Sequence, residues 1–400
     1  MKRIREWLGE NWQPLLLWIG SIGTLLFIGF YHLESITSSK LSPEEIASLS
    51  QAKSARLILD NPLWLPYKVG EFLVLKSGHA SIYLYRAVPA AFGILLVLLF
   101  YALARYWFSP KIAWMATLML ATSTLFLGYS RLALPDILLP LALLSLLGCA
   151  WWVNGTRHIN ITLLVVTITL AAVMYIPGLI WFVGLAALAK KRHIRLAFKK
   201  IPLPSLIIFT LCGIALVAPL AYAFMLHPML LRDWIALPAN FTPFETLRDF
   251  VFVPTSLIVR ALPDPIHNLG RLPYLDILTI TLAALGTYSY LIRFNLVRTR
   301  AMIGAAVISW LLIAFSNTVS MVLILPLVYL TVAAGIMLLL QQWYTVFPRN
   351  PLARNIGVFL ILSVISISIF YNFSRYFVAW ANSPVTKISF SETLPADLLQ

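Results

Sequence analysis

Long apolar runs separated by short polar connections dominate this chain, and the runs are close to one length. A helix that crosses a bilayer needs about 20 mainly apolar residues. Eleven segments approach that requirement: 14–31, 88–107, 112–129, 137–153, 161–175, 177–189, 203–225, 276–293, 301–316, 319–340 and 356–372. The pattern predicts an all-α polytopic membrane protein with about 11 transmembrane helices. Runs 161–175 and 177–189 are short and meet at Tyr175-Ile176-Pro177-Gly178, a turn signal, so they read as a hairpin.

Three polar stretches between or after the runs are long enough to hold structure: 32–87, 227–275 and 373–400. No repeat or low-complexity linker divides the chain. It reads as one membrane domain over 1–372, with an outer loop at 32–87 and a second outer segment at 227–275, followed by a short extracytoplasmic tail at 373–400. Within the first loop, Ser42-Pro43-Glu44-Glu45 predicts a helix start: Ser42 as N-cap, Pro43 at the first position and Glu45 where a capping box places its carboxylate. Ile46, Leu49, Leu57 and Ile58 then form an apolar stripe bordered by Lys53 and Arg56, as in a helix lying in the membrane interface. Asn61-Pro62 ends it, and a second amphipathic piece runs from about Pro66 to Lys76, stopping at Ser77-Gly78.

Composition agrees with this class: 60% hydrophobic, 11% charged, mean hydropathy +0.86. Several aromatic residues, including Trp107, Trp151, Trp152 and Trp380, fall near run ends, as an interfacial belt would require. Charge adds orientation. Lys2, Arg3 and Arg5 precede the first run, six bases crowd 190–200, and Arg293, Arg298, Arg300, Arg349 and Arg354 fill later connections on the same side. The positive-inside rule makes that side, with the N-terminus, cytoplasmic. Threaded this way, 13 of the 15 carboxylates lie outside, whereas the inner face carries the whole net charge of +15. The bases alternate with membrane runs and form no continuous groove, which excludes a nucleic-acid footprint. The first run reads as a retained anchor rather than a cleaved signal, placing the chain as an integral protein of the plasma (cytoplasmic) membrane. Cys149 and Cys212 lie inside runs and suggest no disulfide.

The run centres are nearly free of charge, which argues against an ion channel or proton-coupled pump. Ionisable groups gather at the outer ends: Glu44, Glu45, Lys68, Lys76, Arg86, Arg131, Asp136, Arg232, Asp233, Arg271 and Asp276. Acids and bases mixed along a lipid–water boundary suit an enzyme acting on a lipid-linked phosphate, with cations holding the phosphate and a carboxylate taking a proton from the nucleophile. His79, His227 and His267 show no metal-type spacing and read as loop histidines; a divalent metal finds no support.

Tyr129-Ser130-Arg131-Leu132-Ala133-Leu134-Pro135-Asp136, running into Ile137-Leu138-Leu139, resembles a segment of the GT-C glycosyltransferases. That superfamily includes protein O-mannosyltransferases and the lipid A aminoarabinose transferase. The resemblance extends to order along the chain: a first run, an acidic pair opening an interfacial helix (Glu44-Glu45), then Asn61-Pro62 and Arg86, then Arg131 and Asp136. It covers roughly the first 190 residues. Relatives commonly carry Asp, often Asp-Glu, where this chain has Glu44-Glu45, and many carry a large outer C-terminal domain where this chain has a short tail.

The resemblance implies transfer of a sugar from a polyprenyl phosphate to an extracytoplasmic hydroxyl of a glycan, lipid or protein, by an inverting displacement without a cofactor. Glu44, with Asp136 and Glu45, is then the candidate catalytic set. Arg131, Arg86 and Lys68, with Lys76 and Arg271 after them, are the candidates for the donor phosphate. Each also has a plain structural reading: Glu45 in the capping box, Asp136 as a cap of the fourth run, Arg86 as a headgroup anchor, Lys68 and Lys76 as snorkelling side chains. The runner-up function is a non-enzymatic transporter or lipid flippase of envelope polysaccharide assembly, which predicts paired half-repeats and mid-membrane charges.

Overall fold

The computed structural model describes residues 20–79, 81–155, 159–189, 201–238, 242–316 and 318–395. The basic residues before the first run, the start of that run, the base-rich stretch 190–200 and the last five residues lie outside these. The protein is 78% helical, with no strand among the described residues. In chain order the outer loop follows α1 (20–30) and holds α2 (Pro43–Gln51), α3 (Ala55–Asp60) and α4 (Leu65–Lys76). Next come α5 (Ile82–Trp107), α6 (Pro110–Thr122), α7 (Thr124–Ser130), α8 (Leu138–Gly155), α9 (Ile159–Met174) and α10 (Ile180–Ala189). They are followed by α11 (Leu203–Leu226), α12 (Met229–Ile235), α13 (Pro243–Ile258), α14 (Ile277–Ile292) and α15 (Val297–Phe315). Last are α16 (Leu325–Val346), α17 (Pro351–Ser374) and α18 (Pro384–Ser389).

Six described helices are long and apolar enough to cross a bilayer, and the pair α6 and α7, which meet at 59°, would make a seventh. That is fewer than the eleven expected. Of the other four expected runs, the first begins outside the described residues, α9 and α14 have 16 residues each, and α10 is described over 10 residues up to Ala189. Local chemistry sets the start of α14 and the turn between α9 and α10. Asp276 caps α14 through Leu278 N and Thr279 N, and the turn between α9 and α10 holds Gly178 at φ +76°. The break between α6 and α7 is also local. Ser123 ends one helix and caps the next, accepting from Phe126 N at 3.3 Å.

Close packing organises the bundle. A Cβ on Gly286 of α14 would sit 1.7 Å from the Thr331 carbonyl oxygen, and one on Gly335 of α16 would sit 2.0 Å from that of Leu282. Only glycine allows these two backbones to touch, the small-residue packing that joins helices in lipid. Leu96 and Phe100 of α5, Leu120 of α6, Leu144 of α8 and Leu330 of α16 fill the interior. By contrast α11 exposes Ile207, Ile208, Leu211 and Ile214, an apolar surface suited to lipid.

The outer loop begins as its sequence predicts. Ser42 Oγ accepts from Glu45 N and the Glu45 carboxylate accepts from Ser42 N, a complete capping box. The single helix expected from Ser42 to Asn61 is instead two. Ser54 interrupts it, accepting from Leu57 N at 3.3 Å and starting α3, because a serine offers the backbone an alternative partner. The tail also differs from expectation. Beyond α17 the chain continues as a π-helix over Arg375–Trp380, and Trp380 is buried rather than interfacial. Leu41 and Glu392 then exchange backbone hydrogen bonds of 2.9 and 3.1 Å, tying the tail to the residue before Ser42.

Candidate active site

Successive residues on a helix point about 100° apart, so Glu44 and Glu45 at the start of α2 face different surroundings. Glu45 is fully buried. Its carboxylate accepts four hydrogen bonds: from Ser42 N (2.9 Å), Ala133 N (2.9 Å), Arg86 Nε (2.8 Å) and Arg86 Nη2 (2.9 Å). Arg86 is equally enclosed. Its remaining donors go to the Leu33 carbonyl (2.9 Å), Thr37 Oγ1 (2.8 Å) and the Lys40 carbonyl (2.9 Å). Five guanidinium hydrogens thus meet five protein acceptors, and the Phe390 ring of the tail lies 5.7 Å from the guanidinium carbon. This bidentate pair joins the outer loop, α5, the segment after Arg131 and the tail.

Arg131 is also committed to protein. Its terminal nitrogens donate to the carbonyls of Ile28, Gly29 and Tyr31, just where α1 ends. Those carbonyls have no helical partners of their own, and a cation is favoured there. The guanidinium also lies 4.8 Å from the Phe377 ring centre. A phosphate reaching Arg86 or Arg131 would have to displace these acceptors.

Glu44 is exposed. It lies close enough to Asp136, Asp264 and His267 for their charges to act on it. Partial burial raises its pKa above the ordinary 4.5; the His267 charge opposes this, and Asp264, Asp136 and Glu45 reinforce it. Asp136 sits in a 3-10 turn, Pro135–Ile137, leading into α8. Asp264 and His267 come from the second outer segment. Asp264 Oδ2 lies 3.0 Å from His267 Nδ1, and Asp264 Oδ1 accepts from His267 N at 3.2 Å. Burial alone would depress the imidazole, but Asp264, Asp136 and Glu44 raise its pKa overall. His267 Nε2 is buried and has no hydrogen-bond partner.

Several contacts hold that segment in place. The His267 ring stacks on Tyr129 of α7 with centroids 4.0 Å apart and planes at 12°. Gly128 leaves room for it: a Cβ there would come within 2.8 Å of the His267 carbonyl oxygen. Trp380 Nε1 donates to the Pro265 carbonyl at 3.0 Å, and Arg375 donates to Asn268 Oδ1 (2.6 Å) and the Pro273 carbonyl (2.8 Å). Just below, Asp276 accepts from Thr279 Oγ1 (2.6 Å), Ser368 Oγ (3.0 Å) and Asn372 Nδ2 (2.8 Å), fixing the head of α14 to α17.

The remaining candidate cations are dispersed. Lys68 is buried in α4 and donates one hydrogen bond, 2.7 Å, to the Asn61 carbonyl; burial lowers its pKa to about 8. Lys76 is exposed, with its ammonium 5.7 Å from the Phe72 ring centre. Arg271 is exposed on the second segment. Among the described residues, no three His, Cys, Asp or Glu side chains are placed to hold a metal ion. An apolar cavity of about 310 Å³ opens between α13, α14, α15 and α16, lined by Leu257, Leu275, Ile280, Met302 and Val328.

Asp264 and His267 are the site residues that sequence reading missed as a pair. The local signal was present: Pro263-Asp264-Pro265 marks a tight turn, and an Asp at its start is placed to bond the backbone three residues on. What periodicity lacks is the third dimension, which carries this turn over Tyr129.

Residues 54–190 match the family described as dolichyl-phosphate-mannose-protein mannosyltransferase, a family of the GT-C superfamily, in agreement with the resemblance seen around Arg131 and Asp136. The match includes Lys68, Lys76, Arg86, Arg131 and Asp136, and stops short of Glu44 on one side and of Asp264 and His267 on the other. No curated protein and no solved structure matches the chain.

Proposed function

We propose that this protein is a membrane glycosyltransferase that moves a sugar from a polyprenyl phosphate to an acceptor hydroxyl outside the cytoplasm, with Glu44 as general base. The reading rests above all on the division of labour between neighbours: Glu45 is buried and fully bonded, whereas Glu44 is open and faces a second acidic group and a histidine. In a single displacement, the acceptor oxygen bonds the anomeric carbon and its proton passes to Glu44. The bond from that carbon to the phosphate oxygen breaks, and its electron pair leaves with the lipid phosphate. That phosphate changes from a singly charged diester to a monoester carrying one more negative charge, so the site must tolerate growing anionic character. Lys68, which donates one hydrogen bond from three donors, is the buried nominated cation with capacity left, with Lys76 and Arg271 behind it. Arg86 and Arg131 would act by holding the frame. The apolar cavity beside Leu257 and Leu275 supports a donor with an isoprenoid tail.

The family match makes a polyprenyl-phosphate mannose the first donor to try. Membranes containing the full chain would receive radiolabelled polyprenyl-phosphate mannose and, in parallel, other polyprenyl-phosphate sugars. Transfer by wild type and its loss in Glu44→Gln is the expected result. Equal transfer by both proteins would rule out the base, and no transfer from any such donor would remove the reading.

A further inference from the structure

The Asp264–His267 pair has a geometry that loop packing alone does not explain. A histidine that merely filled space would have both ring nitrogens satisfied or exposed, since buried polar atoms without partners are uncommon. Here Asp264 takes Nδ1, fixing the ring's orientation, while Nε2 is enclosed and meets no protein acceptor. The ring cannot swing to find one, because Tyr129 stacks on its face and the backbone of His267 sits against Gly128. The head of α2 and the ring meet on one segment: Glu45, next to Glu44, accepts from Ala133 N, and the ring stacks on Tyr129 four residues earlier, so that the charges of Glu44, of Asp136 and of Asp264 on its own loop all act on it. The hydroxyl-bearing rings nearby are Tyr129 and Tyr274, and Arg375 reaches the same loop through Asn268. Arg86 and Arg131 are engaged by protein acceptors instead.

We propose that His267 is a positioning residue: anchored by Asp264, its imidazolium supplies the positive charge that keeps Glu44 ionised beside Asp136 and Glu45. The inference rests on the reading of Glu44 as general base and deepens it. The physical need is plain. A carboxylate partly removed from water and flanked by other carboxylates gains a proton more readily, and a protonated Glu44 cannot accept one from the acceptor hydroxyl. His267 is first among the charges that oppose this. A histidine suits the task better than a lysine would, because its ring is held flat and its charge fixed in place by Asp264 and Tyr129.

The test is the pH dependence of sugar transfer from radiolabelled polyprenyl-phosphate mannose by the full chain in membranes, for wild type, His267→Gln, Asp264→Asn and Glu44→Gln. Without the imidazolium, Glu44 should protonate at higher pH. The acid limb of the His267→Gln profile should therefore move towards alkaline pH by about one unit, a loss of about tenfold on the acid side, with a smaller loss on the plateau. Asp264→Asn should move the limb in the same direction and by less, and it carries the test should His267→Gln fail to fold. A uniform loss at every pH, or an acid limb that stays in place while Glu44→Gln is inactive, would overturn the role of His267 alone. Full activity in Glu44→Gln would instead remove the base assignment on which the inference stands.

Discussion

Two polar clusters lie within one turn of α2, and they are built on opposite terms. Around Glu45 and Arg86 every donor and acceptor has a partner, the groups are closed from water, and four chain segments converge. Around Glu44 the carboxylate is exposed, its neighbours are mostly of like charge, and His267 Nε2 has no partner. The first arrangement holds a fold, because a buried ion pair is tolerable only when its remaining hydrogen bonds are made. The second leaves like charges together with little compensation, the kind of arrangement that marks a candidate functional site. The difference teaches that neighbours in sequence with the same charge can have opposite surroundings, one closed by protein partners and one exposed.

The strongest way to break the comparison is Arg86→Ala. It leaves Glu45 buried without its partner, at a cost of about 3–5 kcal/mol, so the protein should be lost from membranes or unfold at markedly lower temperature in detergent. A folded, stable Arg86→Ala would show that the closed cluster is not structural. Glu44→Gln should do the reverse: stability close to wild type and transfer reduced by about 10²–10⁴, measured with labelled donor and by thermal unfolding of the same preparation. In wild type, transfer should also fall as the medium is acidified through the raised pKa of Glu44, above the ordinary 4.5. A profile flat through that region would count against Glu44.

Smaller effects sharpen the contrast. Ser42→Ala removes the side chain that accepts from Glu45 N and should lower stability by about 1 kcal/mol, with activity preserved in the folded fraction. Glu71 offers the mildest test. It is buried in α4, and its carboxyl oxygens make no hydrogen bond of ordinary geometry, with the Tyr67 hydroxyl alongside. Burial raises its pKa well above 4.5, so the folded state retains a proton that the unfolded chain loses. Its stabilising protonation is complete below the unfolded value and lost as pH rises through the folded value. Glu71→Gln should match wild type in stability at acid pH and exceed it progressively towards neutral and alkaline pH. A fixed difference at all pH values would contradict the neutral, buried state.

Much of the outer loop was legible because its signals are local. Ser42, Pro43 and Glu45 specify a helix start through bonds spanning three residues, and Asn61-Pro62 ends the next piece as expected. The second break, at Ser54, was as local but weaker, since Leu57 stands where a capping box would place Glu or Gln. The bend at Ser123 was likewise hidden inside an apolar run. Arg131 was legible as a conspicuous cation beside Asp136, but its target was not: the carbonyls it caps lie about a hundred residues earlier.

By itself, the sequence determined a helical membrane bundle and the acidic start of α2, because hydropathy and capping are written in neighbouring residues. Only the tertiary structure decided which of two adjacent glutamates is closed and which is exposed, that Arg86 and Arg131 bond to protein acceptors, and that Asp264 and His267 come near enough to Glu44 for their charges to act on it. Those outcomes depend on contacts between residues 41 to more than 200 positions apart, brought together by helix packing rather than by any local pattern.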